Sequence, residues 1–139
     1  MPVVGRKPKP AGQAVNRVKP AYEWVEVDDR PFHGGPPLPA RRPSGAAWPA
    51  ATRRWWKVVS TMPHCVLWTP ADWEFAQQTA VLQAAFDDGD MRLGTELRNR
   101  DRKLGMTMDS RRDLRIRYVD QAAAKPALEV VSLDDYRNL

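Results

Sequence analysis

Two side-chain sets in this chain have residue types that could carry out catalysis. His64-Cys65 sets an imidazole beside a thiol. Such a pair can act as base and nucleophile, or join His33 and an acid as metal ligands. Sequence neighbours rarely converge on one metal, and the pair falls between two helical stretches. A small apolar Cys in an inter-helix segment is the preferred reading. Asp87, Asp88 and Asp90 have the chemistry of a two-metal nuclease site. They also fall at a helix end, a Gly turn and a helix start, where Asp is common as a capping residue. There is no glycine-rich phosphate loop of the GxxxxGK[ST] kind and no GxSxG nucleophile elbow. A single Cys excludes an intramolecular disulfide framework and a multi-cysteine zinc site. The expectation is a protein that is not an enzyme, with no metal and no cofactor.

The basic sets point elsewhere. Arg53, Arg54 and Lys57 flank Trp55 and Trp56. Cations beside an aromatic can hold phosphate while the ring packs or stacks. The competing reading makes both indoles core or interface and leaves the cations solvated. Trp55 fits the apolar stripe of its helix; Trp56 does not, and is the better candidate for contact with another chain. Arg111, Arg112, Arg115 and Arg117 form a dense basic stretch that can face phosphates, or pair with the acidic 87–90 block of a neighbour.

The formal net charge of +5 conceals an alternation. Successive blocks 1–20, 21–40, 41–60, 61–90, 91–119 and 120–139 carry +5, −3, +5, −5, +5 and −2. This is not a uniform basic coat. Complementary patches let copies of one chain meet, and separate basic surfaces can meet DNA, although charge runs are often only solvated faces.

The elements that must position these residues divide the chain in three. Residues 1–45 read as a flexible basic arm and a Pro-rich connector; eleven of the 13 prolines lie before residue 64. The start, MPVVGRKPKPAGQ, lacks the apolar region of a secretory signal. One short extended segment, 22–27, alternates with β-branched and aromatic residues and has no hairpin partner, so it docks on a helix or on a neighbouring subunit. Residues 31–45 read as polyproline-like. Residues 46–119 hold about four helices. The first covers roughly 49–61, with Trp48, Ala51, Trp55, Val58, Val59 and Met62 on one face. Thr69, Pro70 and Asp72 open the second, which ends near Gly89. Asp90 caps a third over about 91–104, with Leu93, Leu97 and Leu104 inward, a Glu96–Arg100 pair outside and Gly105 at its end. Thr107 or Asp109 caps a fourth that runs to about Tyr118. Residues 120–139 read as a tail with an apolar cluster. The fold class is mainly α: a small helical domain with an extended Pro-rich N-terminal arm and a short C-terminal tail. No run of 18 apolar residues predicts a membrane-spanning helix.

The segments TPADWEFAQQTAVLQAAFDDGD and ELRNRDRKLGMTMDSRRDLRIRY resemble small terminase subunits of tailed bacteriophages. The most telling part is Leu104-Gly105-Met106-Thr107 followed by Ser110-Arg111 and Leu114; Met108 stands where that family often has Pro. The Trp48-Pro49 pair and the Trp-rich first helix are similar to a branch of it. The resemblance covers roughly 20–119. It implies a non-catalytic DNA-packaging factor that binds double-stranded viral DNA as a homo-oligomeric ring and recruits the large subunit, which carries ATPase and nuclease. Heterologous ring contacts suit complementary patches.

On that resemblance the DNA-binding residues are assigned to Arg53, Arg54 and Lys57, to Lys7, Lys9 and Lys19 of the arm, and to Arg98 and Arg102. Trp56, Asp87, Asp88, Arg111, Arg112 and Arg115 are assigned to the oligomer interface. Leu128, Val131, Leu133 and Tyr136 are assigned to docking of the large subunit. The expected setting is the host cell cytoplasm during phage assembly. The alternatives are a helix-turn-helix regulator, against which the long 62–69 turn counts, and a metal-dependent packaging nuclease built on Asp87, Asp88, Asp90 and His64.

Overall fold

The computed structural model describes residues 23–120. The order is strand β1 (Val25–Asp28), helix α1 (Ala50–Val59), a 3-10 turn (Pro63–Leu67), helix α2 (Pro70–Asp87), a second 3-10 turn (Met91–Leu93), helix α3 (Gly94–Leu104), helix α4 (Met108–Asp113) and strand β2 (Ile116–Val119). The architecture is mainly α with a small two-stranded sheet. Among the described residues, no helix is long and apolar enough to cross a membrane.

Local chemistry sets the helix starts. Thr69 and Asp72 form a reciprocal capping box: the Asp72 N–H donates to Thr69 Oγ1, and the Thr69 N–H donates to Asp72 Oδ2 at 2.8 Å. Pro70 takes the first helical position, where its missing N–H costs nothing. Thr107 and Ser110 repeat the box at α4. At the end of α3, Gly105 adopts φ 71°, the left-handed conformation that glycine tolerates best. The Glu96–Arg100 pair forms at 2.9 Å.

The fourth helix is shorter than its sequence predicts. It stops at Asp113, Arg115 turns the chain with φ 61°, and Ile116–Val119 becomes a strand. The reason is tertiary. β1 and β2 pair in parallel, with Val25 opposite Ile116 and Asp28 opposite Val119. The predicted extended segment, as strand Val25–Asp28, therefore finds its partner within the same chain, and the β-branched and aromatic side chains of Ile116–Val119 are better satisfied in a ladder than on a helix.

Helix α1 is also rotated from its predicted face. Thr52, Trp56 and Val59 are buried; Trp55 is only half-buried and Val58 is 60% exposed. The Pro-rich connector causes this. It runs back over α1, and the indoles of Trp56 and Trp48 donate to the carbonyls of Pro36 (3.2 Å) and Pro39 (2.7 Å). Trp56, 6% exposed, is thus a core residue of its own chain, not a side chain offered to another. Gly35 permits the approach: a Cβ there would lie 2.7 Å from the Trp73 ring and 3.2 Å from the Ser60 carbonyl oxygen.

The core forms where α1 crosses α2. Ala76, Ala80 and Ala84, spaced by one turn along α2, are fully buried against Trp48, Trp56 and Leu104. Small residues on that stripe make room for the two indoles. A second cluster, Val59, Met62 and Cys65, packs under Phe32, Trp68 and Trp73.

Candidate nucleic-acid interface

The outer face of α1 carries three cations and no acid. Arg53, Arg54 and Lys57 are all exposed. Arg53 and Lys57 lie one turn apart, about 6 Å along the helix. They edge a shallow groove of about 340 Å³, whose other wall is the connector at Phe32, His33 and Pro36, with Trp56 also lining it. Guanidinium and ammonium groups on the rim of a rigid groove suit the oxygens of a phosphate backbone. Trp56 serves here by fixing the connector, not by stacking on a ligand. His33 was considered in the sequence only as a possible metal ligand and Pro36 was not singled out; the Gly34-Gly35 pair between prolines is the signal that could have marked this segment as passing close to other groups.

The other predicted cations are scattered. Arg98 and Arg102 are exposed on α3; Arg98 donates to Thr95 Oγ1 at 3.2 Å. Lys7, Lys9 and Lys19, with Leu128, Val131, Leu133 and Tyr136, lie outside the described residues.

The acidic turn does not converge. Asp87 Oδ2 accepts from Thr52 Oγ1 at 2.7 Å and its Oδ1 accepts from Gln83. Asp88 pairs with Arg42 of the connector at 2.6 Å. Asp90 caps the turn at Met91 and pairs with Arg92, whose guanidinium holds the Asp90 carboxyl below its ordinary range. Asp87 and Asp88, assigned from sequence to a neighbouring subunit, thus have partners within their own chain: they tie α2 to α1 and to the connector. Among the described residues, no three His, Cys, Asp or Glu side chains come together.

The basic stretch after Gly105 divides in the same way. Arg111 donates to the carbonyls of Gly105 and Met106, both at 3.1 Å, and lies over the Tyr118 ring. It closes the end of α3 instead of reaching outward. Arg115 lies over Trp24, 5.8 Å from the ring centroid. Arg117 lies over the same ring and pairs with Glu26 at 2.6 Å. Arg112 is exposed and makes no ion pair among the described residues.

His64 and Cys65 face different partners. His64 is buried, with Nε2 2.7 Å from the Leu104 carbonyl oxygen and Nδ1 2.6 Å from the Tyr118 hydroxyl. Burial holds its imidazole below the ordinary pKa, against the pull of the Leu104 bond. The Cys65 thiol donates to the Val59 carbonyl at 3.1 Å, and burial pushes it up to about 12. A thiol so placed carries little thiolate at neutral pH. Both residues hold the fold together.

A family model described as phage terminase small subunit matches residues 3–139. No curated protein and no solved structure matches the chain.

Proposed function

The chain belongs to the phage terminase small subunit family, and from that premise we propose that it is a non-catalytic packaging factor that grips double-stranded viral DNA, assembles as a homo-oligomeric ring and recruits the large terminase subunit. A role in phage DNA packaging is what the family supports. The observation that carries the DNA-binding reading is the α1 face, where Arg53, Arg54 and Lys57 stand exposed on a helix with no acid of its own. Phosphate contacts there position the duplex without reading its sequence. Lys7, Lys9 and Lys19 of the arm add further cations, and Arg98 and Arg102 extend the surface on a second helix. The tail residues Leu128, Val131, Leu133 and Tyr136 supply the apolar contact for the large subunit.

The test is duplex DNA binding measured across salt concentrations. Each phosphate neutralised contributes about −0.9 to the slope of log affinity against log salt. Replacing Arg53 and Lys57 together by Glu weakens binding uniformly across DNA sequences and flattens the slope by about two contacts. Unchanged affinity in that variant overturns the assignment of this face.

A further inference from the structure

The groove beside α1 has two walls, and only one of them is helix. Across it from Arg53 and Lys57 stands His33 of the connector, exposed to solvent. Its backbone is pinned on both sides. One residue before it, the Phe32 N–H donates to the Thr61 carbonyl at 3.0 Å, and the Phe32 ring stacks on Trp73 with centroids 6.0 Å apart. Three residues after it, the Pro36 carbonyl accepts from the Trp56 indole. Residue 33 sits on a short span tied at both ends, so its place relative to α1 is fixed.

The imidazole held there serves nothing inside the chain. Among the described residues it makes no hydrogen bond, ion pair or ring contact, and the side chains of Arg53 and Lys57 make none either. No carboxylate lines the groove. Two fixed cations and a titratable ring around one hollow, with no acid among them, form a site that an anion relieves. The other lining side chains include Phe32, Pro36 and Pro37, which offer apolar surface and no side-chain donor. Cations with such a floor suit a sugar-phosphate strand, and nothing there reads a base edge.

We propose that His33 is a DNA-contact residue: its imidazole meets the phosphate backbone in the groove from the side opposite Arg53 and Lys57, and a proton from solvent is taken up on binding. The inference rests on the reading of α1 as the DNA-binding face and adds a second wall to it. Neutral imidazole donates one hydrogen bond, whereas imidazolium donates from both nitrogens and brings a charge. A phosphate against the ring therefore favours the protonated form. Histidine is the side chain that ordinarily changes charge between pH 5 and 8. The charged groups lining the groove with it, Arg53 and Lys57 of α1, stay cationic throughout that range. The bound state holds more protons than the free one, so DNA affinity rises as pH falls.

The experiment is anisotropy of a labelled DNA duplex titrated with the full chain, across salt, at pH 6 and pH 8. The parent should bind about three- to tenfold tighter at pH 6, with a salt slope steeper by up to about 0.9. The N-terminal amine and His64 also titrate near this range, so the effect is read as the difference between the parent and His33→Gln. His33→Gln should bind at pH 6 with the affinity and slope that the parent shows at pH 8. His33→Arg should bind tightly at both values. Both variants should melt with the parent, since the imidazole has no contact to lose. A His33→Gln chain with the parent's pH dependence and slope overturns this inference; if the Arg53/Lys57 double substitution still weakens binding, the α1 reading stands without it. If the double substitution binds as the parent does, both fall, because the strand is then not in this groove.

Discussion

The His64 imidazole and the Tyr118 hydroxyl meet at 2.6 Å across 54 residues of chain. On the other side of the ring, Nε2 faces the Leu104 carbonyl oxygen, which can only accept. Nε2 therefore carries the proton, and Nδ1 accepts from the Tyr118 hydroxyl. One neutral imidazole thus joins the 63–67 turn, the end of α3 and β2.

Removing the hydroxyl tests this tie. Tyr118→Phe keeps the stacked ring contact with His64 but leaves a buried Nδ1 without its donor. The expected loss is about 1–3 kcal/mol, read as a lower urea midpoint with an unchanged slope. A midpoint equal to that of the parent chain would show that the bond contributes nothing to stability.

The same imidazole sets a pH dependence. Burial lowers its pKa below the unfolded value of 6.5. Between those two values the unfolded chain binds more protons, so stability falls with falling pH. The contribution is complete above about 6.5 and is lost through the window beneath it. The groups facing the ring are Leu104, Tyr118, Trp68 and Arg111, and the Arg111 charge acts in the same direction. Asp101, whose pKa is raised, works oppositely but in the carboxylate range. Denaturant melts from pH 7.5 to 5.5 should show the fall, and His64→Gln should flatten it.

The connector should be held by its indoles and its glycine together. Trp56→Ala removes a buried ring and its bond to Pro36, for an expected cost of about 3–5 kcal/mol. Gly35→Ala forces a methyl toward the Trp73 ring and the Ser60 carbonyl, with an expected cost of about 1–3 kcal/mol. Both should weaken DNA binding less than the Arg53/Lys57 double substitution when measured well below the melting temperature, because neither removes a cation.

Where residues dictate structure through near neighbours, the sequence was legible. Thr69-Pro70-Asp72, Gly105 and the Glu96–Arg100 pair are local devices with spacings of one turn or less, and each sits where expected. The parallel pairing of β1 with β2 was not legible, since no pattern links Val25 to a residue 91 positions on. The face of α1 was misread for a related reason. Trp55 and Trp56 lie about 100° apart on the helix, and the apolar stripe favoured Trp55; long-range packing, against α2 and against the returning connector through Pro36, selects Trp56 for burial. The cations of α1 were legible as a set because their exposure needs nothing but a helix. Asp101 gave no signal, because what distinguishes it is a buried Oδ1 without a hydrogen-bond partner.

Arg115 offers a way to separate backbone strain from side-chain contact. It is the one non-glycine residue with positive φ among the described residues, at 61°. A side chain there costs about 1 kcal/mol relative to glycine. Against that stands its guanidinium over the Trp24 ring, where an exposed cation–π contact contributes about 0.5–1 kcal/mol. Arg115→Ala removes the contact and keeps the strained backbone, so it should lower stability by roughly that contact. Arg115→Gly removes the contact and the strain together, so it should melt close to the parent and about 1 kcal/mol above the Ala variant. If the two variants melt together, the turn at 115 carries no left-handed strain in solution. If Gly exceeds the parent by a full 1 kcal/mol, the Arg115–Trp24 contact contributes nothing to the fold.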